Sequence, residues 1–198
     1  ETPMDASLFS AFGLASAAGF NAFVPLLSVG LLARYTDLVR LAEPFDILTQ
    51  PWMLGVLAAL AVIDFIADKV PALDHLWHGL GALVSPAAGA VLFASQQNVL
   101  SDLHPAVAAL AGLVVAGGFH GGRAAARPIS TAATGGLGNP VLSLVEDVLS
   151  AILTAAALLL PLLAFGLGAG LLILLILAAW GALRRRAKAT GLDRRSTG

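Results

Sequence analysis

From Val148 to Leu183 no residue carries a charge, and the run ends abruptly at Arg184-Arg185-Arg186. Such a stretch has few ways to fold. In water it would need a large partner surface to cover it. In a bilayer it needs only helical hydrogen bonding, because backbone polar groups in lipid must be satisfied within the chain. Other apolar runs in the chain approach the roughly 20 residues that a hydrocarbon core demands. Only 12% of the residues are charged and the mean hydropathy is +0.88, against about 25% charge for an ordinary soluble domain. The chain therefore reads as an all-α polytopic membrane protein. It has no cysteine, which excludes disulfides, thiolate metal sites and thiol catalysis. The net charge of −1 says nothing about nucleic acid, but no basic face interleaved with aromatics appears, so a nucleic-acid partner is not expected.

Six membrane spans are expected: 8–33, interrupted at Gly19-Phe20-Asn21 and at Pro25; 51–69; 76–95; 105–126; 140–165; and a last span after a 166–170 hairpin. A glycine-rich loop is expected over 127–139. The segments on one side of this arrangement hold Lys69, Arg123, Arg127, Arg184, Arg185, Arg186, Lys188, Arg194 and Arg195, and the other side holds Arg34 and Arg40. Basic residues collect in the cytoplasm. Both termini are thus expected there. Residues 1–7 read as a tail or scar with no basic leader, and 187–198 as a basic tail.

The two halves, 8–96 and 97–186, share motifs. Gly13 to Asn21 resembles Gly112 to His120 at a spacing of 99 (112 − 13), and Val62 to Asp68 resembles Val141 to Asp147 at 79 (141 − 62). Three spans per half imply two inverted three-helix repeats. Such repeats place paired, glycine-broken first helices near the midplane. Gly13 and Gly112 suit simple close packing. The run Gly118 to Gly122, which contains His120, suits a break.

The candidate chemistry lies where the chain places polarity among apolar residues, since intramembrane ionisable groups are costly and functional by default. His120, Arg123 and Arg127 share a helix face at i, i+3 and i+7. Arginine offers a planar fork of donors to a carboxylate or phosphate, although Arg127 can equally snorkel to headgroups. Ser143, Glu146, Asp147, Ser150 and Thr154 form a polar stripe on another apolar helix. Glu146 and Asp147 can also serve the positive end of that helix, with Asn139 as cap and Pro140 behind it. The related positions of the first half are Asn21, Asp64 and Asp68. Asp74, His75 and His78 have metal-like spacing, but no further ligand completes a set at this turn, so neither a metal nor another cofactor is expected. No hydrolase, zincin or Walker signature is present, so an enzyme is not expected.

These motifs also carry a resemblance. The segments GLASAAGFNAFVPLL, DFIADKVPALD and RAAARPIS…NPVLSLVEDV resemble a bacterial family of small membrane proteins catalogued as a domain of unknown function (number four-one-two-six). The resemblance runs from Leu8 to about Leu160. Members of that family tend to show a Ser-Pro-Glu-Pro-like loop after the arginine block. Here Pro128-Ile129-Ser130-Thr131 stands in its place, so a role for an acidic residue there does not carry over. The resemblance implies location in a bacterial inner membrane and no activity.

The residues point to a small secondary transporter or flippase moving an anionic or amphipathic solute, coupled to protons or a cation. Asn21, His120, Arg123, Arg127 and Ser143 are the expected solute contacts. Asp64, Asp68, Glu146 and Asp147 are the expected coupling groups. The alternatives are a channel with a pore in each subunit of an oligomer, and a non-transporting scaffold whose polar groups join helices. Membrane lipids are partners in every case, and a homo-oligomer is compatible with all three.

Overall fold

A computed structural model describes residues 4–67, 71–96, 99 and 103–193. The expected coupling residue Asp68 and the basic Lys69 lie outside them, as do the side chains of Asp74, His75 and His78. The described chain is mainly helical. Its helices are α1 (Met4–Phe20), α2 (Phe23–Tyr35), α3 (Pro51–Ala67), α4 (Pro71–Ala94), α5 (Pro105–Thr134), α6 (Asn139–Leu159) and α7 (Pro161–Asp193). A 3-10 turn, Phe45–Thr49, precedes α3. Proline opens α3, α4, α5 and α7. Its fixed φ suits the first turn, where its missing N–H would have had no partner. Among the described residues, three segments are long and apolar enough to cross a membrane: Pro105–Thr134, Asn139–Leu159 and Pro161–Ala178.

Helix α1 is the axis of the bundle. Ala11, Leu14, Ala15, Ser16, Ala17 and Ala18 are fully buried, and the helix packs on α4, α5, α6 and α7. Four neighbours fit because its side chains are small. A Cβ on Gly13 would lie 2.8 Å from the Cβ atoms of both Ala157 and Ala164. The tightest crossing joins α4 to α5, where Gly89 and Gly112 meet backbone to backbone. Gly112→Val would drive its side chain into the Gly89 carbonyl and Phe93. We expect a loss of about 1–3 kcal/mol, read as a lower melting temperature in detergent. Gly121→Ala, at a position with nothing within 4 Å, should leave that temperature unchanged.

Contacts along the helices fix their directions. Ala11 and Ala15 share a core with Ala108, and Phe20 meets Phe119 with ring centroids 5.2 Å apart, so α1 and α5 run the same way. Phe93 faces Gly112 while Gly81 faces His120, so α4 runs against α5. Ser10 donates to the Ala157 carbonyl and Ser150 to that of Ala17, so α6 runs against α1. Phe9 and Phe12 stack on Phe165, and Gly168 meets Ser16, so α7 runs with α1.

Helix α2 doubles back. Asn21 lines a cavity together with Gly81. Beyond α2, the Ala42 N–H donates to the Ser95 carbonyl and Leu41 bridges Gln96. Ser95 lies about 20 Å from Gly81 along α4 at 1.5 Å per residue. Had α2 continued in the direction of α1, Tyr35 would lie about 20 Å beyond Asn21 on the opposite side. The six steps from Tyr35 to Leu41 reach at most about 21 Å, which cannot close a gap of roughly 40 Å. Helices α1 and α2 are therefore the two arms of a hairpin with its tip at Asn21-Ala22. Helix α3 runs against α2, since Gly30 meets Leu54 while Asn21 meets Asp64.

This geometry corrects several expectations. The interrupted first span is a reversal and not one crossing. Helix α5 is continuous through Gly117 to Gly122, because the glycines there admit neighbours: Gly118 faces Leu172 and Gly122 faces Leu175. It also continues past Pro128 to Thr134, where a loop is expected. The turn between the last two helices falls at Leu160-Pro161 and not at 166–170. Asn139 is the first residue of α6 and bonds Thr131 in place of capping. The helix directions do not follow an inverted repeat. Of the two motif pairs, α1 and α5 run the same way, whereas α3 and α6 run oppositely, and one symmetry operation cannot relate both. The 8–96 and 97–186 halves also interleave in a single core joining Leu14, Leu92, Ala116 and Ala157. The Met4 end of α1 and the Asp193 end of α7 lie at opposite ends of the bundle, where the expectation put both ends of the chain on one side.

Candidate functional site

The hairpin tip carries the site. Asn21 breaks the helix there and satisfies both of its consequences. Its side-chain oxygen accepts the N–H groups of Phe23 (2.9 Å) and Val24 (3.2 Å), and the next residue, Pro25, has no N–H to satisfy. With the oxygen so used, the amide nitrogen donates its two protons outward. One goes to Asp64 on α3 at 2.7 Å and the other to Asp147 on α6 at 2.8 Å. A single buried amide thus joins two carboxylates from helices far apart in sequence. Ser150 holds the same tip from below, donating to the carbonyls of Ala17 (3.0 Å) and Asn21 (3.2 Å).

A second cluster sits beside it, between α5 and α6. The Arg127 Nη2 donates to Glu146 Oε2 at 3.1 Å, and Arg123 Nε lies 3.6 Å from the same oxygen. The Arg127 and Glu146 side chains are 7% and 6% exposed, so Arg127 is a buried ion-pair partner and does not extend to headgroups. Arg123 turns its other end towards Gly81. A Cβ at Gly81 would lie 3.9 Å from Arg123 Nη2 and 3.0 Å from the imidazole Cε1 of His120. His120 itself is buried, and Ser143 is fully buried on α6.

Asn21, Asp64, Gly81, Ser85 and Arg123 share the wall of a cavity of about 400 Å³, completed by apolar side chains including Leu60, Leu80 and Val84. A larger depression at Leu159 to Leu167 holds only apolar residues and glycine, and carries no chemistry. Of the expected solute contacts, Asn21 and Arg123 reach the cavity and His120 stands behind Gly81. Arg127 is engaged by Glu146, and Ser143 lies on the buried stripe of α6. Of the expected coupling groups, Asp64 and Asp147 meet through Asn21, and Glu146 belongs to the arginine cluster. Gly81 and Ser85 are wall residues that sequence reasoning misses. An isolated glycine in an apolar helix gives no sign that a cavity lies against it.

No curated protein and no solved structure matches this chain. The family described as "Domain of unknown function (DUF4126)" matches residues 8–181, which takes in the hairpin tip, both carboxylates that it joins and the arginine cluster. The chain belongs to the DUF4126 family.

Proposed function

We propose that the chain is a small secondary transporter or flippase of the bacterial inner membrane, moving an anionic or amphipathic solute in exchange with or alongside protons or a cation. The observation that carries this reading is the cavity of about 400 Å³ at the hairpin tip, walled by Asn21, Asp64 and Arg123. On this reading α3 to α7 cross the bilayer and α1–α2 enters and leaves by one face. Non-crossing backbone of this kind is tolerated at membrane depth where protein surrounds it or it lines a cavity. The end of the bundle where α7 finishes carries Arg127 and the Arg184-Arg185-Arg186 run, and the other end carries Arg34 and Arg40. That asymmetry puts the Asp193 end in the cytoplasm and the Met4 end on the other face.

The solute's anionic group meets Arg123. The coupling ion goes to Asp147, because two carboxylates held on one nitrogen raise each other's affinity for a proton or a small cation, and Asp64 is the one that lines the cavity. Filling that site changes how firmly α3 and α6 hold the hairpin tip, and the tip is part of the cavity wall. Flux into proteoliposomes should follow an imposed pH or sodium gradient. Asp147→Asn and Arg123→Ala should each lower it by about tenfold or more, equivalent to at least 1.4 kcal/mol. Gradient-driven flux that survives both substitutions, or current steps in planar bilayers without coupled flux, would remove the assignment.

A further inference from the structure

We infer that the cavity takes a zwitterionic amphiphile, with its anionic group on Arg123, its ammonium on Asp64 and its apolar part against Leu60, Leu80 and Val84. This deepens the reading above and rests on it for the choice of site. Three features of the wall lead here. Arg123 is only partly engaged by Glu146: its Nε side faces that carboxylate, and its Nη2 side faces the cavity wall at Gly81. Asp64, which accepts from Asn21, lines the same space. The remainder of the wall is overwhelmingly apolar.

A cavity with opposite charges on its wall discriminates by charge pattern. A purely anionic solute satisfies Arg123 and brings like charge to Asp64. A purely cationic one does the reverse. A zwitterion answers both, and enters a low-dielectric site with no net charge to desolvate. An ammonium with N–H protons makes charge-assisted hydrogen bonds to a carboxylate that a quaternary nitrogen cannot. The apolar wall then sets the third requirement, since a small zwitterion with no apolar portion gains nothing from it. At about 400 Å³ the space lies within the usual range for small-molecule pockets, roughly 300–1,000 Å³. Gly81 keeps that space open, for any side chain there would stand beside Arg123.

The shared chemistry occurs in bulky free amino acids and in aminophospholipid headgroups, so two probes are needed. The full chain in nonionic detergent is titrated with phenylalanine and, separately, with dihexanoyl phosphatidylethanolamine, without any gradient. Each probe is compared with its N-trimethylated analogue and with its deaminated analogue. At least one parent probe should bind saturably, tenfold or more tighter than both of its analogues, and the tighter of the two names the source. Asp64→Asn should erase the preference over the analogues. Arg123→Gln should weaken parent and analogues together. Gly81→Val should abolish binding by filling the space, with melting temperature as the check that it folds. Binding of neither probe, equal binding of parent and deaminated analogue, or an unchanged preference in Asp64→Asn overturns the inference. Because no flux is measured, selective binding in a protein that transports nothing would sink the transporter reading and leave this one standing. Coupled flux of a solute that is not zwitterionic would do the opposite.

Discussion

Glu146→Ala should lower the stability of the folded chain by about 3–5 kcal/mol, the cost of removing one partner from a buried ion pair. Glu146 is 4% exposed and stands between two guanidinium groups, at 3.1 Å from Arg127 and 3.6 Å from Arg123. Its removal leaves two cations facing each other across an apolar interior, where water does not reach to screen them. Thermal or urea unfolding in detergent measures the loss. The double variant Glu146→Met with Arg127→Met should recover a large part of it, since replacing a buried pair by apolar residues of similar size is often neutral. Recovery will be incomplete because Arg123 keeps its place. A single variant as stable as the parent would mean that the cluster is solvated and not buried.

Asn21→Ala should cost about 3 kcal/mol, from two sources. Losing a helix cap costs about 1 kcal/mol, and hydrogen bonds to charged groups contribute about 1.5–3 kcal/mol. Asn21→Asp separates the two. Its oxygens can still accept the N–H groups that begin α2, but it replaces two donors by a third negative charge beside Asp64 and Asp147. Asn21→Asp should therefore be at least as damaging as Asn21→Ala. If capping were the only role of this residue, Asn21→Asp would be close to the parent, as Asp and Asn cap equally well. Melting temperatures of the three proteins in one detergent decide between these outcomes.

The parts of this molecule that were legible in its sequence are those set by local chemistry. Scarce charge and long apolar runs point to a helical fold with segments long and apolar enough to cross a membrane, without reference to its packing. The stripe on α6 is legible because a helical period places Ser143, Glu146, Ser150 and Thr154 on one side, and all four are buried. The interruption at Asn21 is legible too, since glycine, asparagine and a following Pro25 are ordinary signs of a break. Its consequence is not. A broken helix can resume in the same direction or reverse, and that choice rests on contacts distant in sequence, such as Ala42 with Ser95. The glycines of α5 mislead for the opposite reason. Glycine permits a break but equally permits close approach, and Leu172 and Leu175 on α7 use the room that Gly118 and Gly122 leave. The pairing of Asp64 with Asp147 through Asn21 depends on the reversal, so no spacing along the chain could reveal it.

Spin-label distances across the hairpin test the central claim most directly. The chain has no cysteine of its own, so Leu8→Cys with Tyr35→Cys gives one clean labelled pair. If α1 and α2 fold back at Asn21, pulsed electron–electron resonance in nanodiscs should report a separation well below about 30 Å. If they continue as one interrupted span, the 27 residues between the labels (35 − 8) would hold them about 40 Å apart at 1.5 Å per residue. The longer distance would move Tyr35 to the far end of the bundle and dissolve the cavity wall that Asn21, Asp64 and Arg123 form.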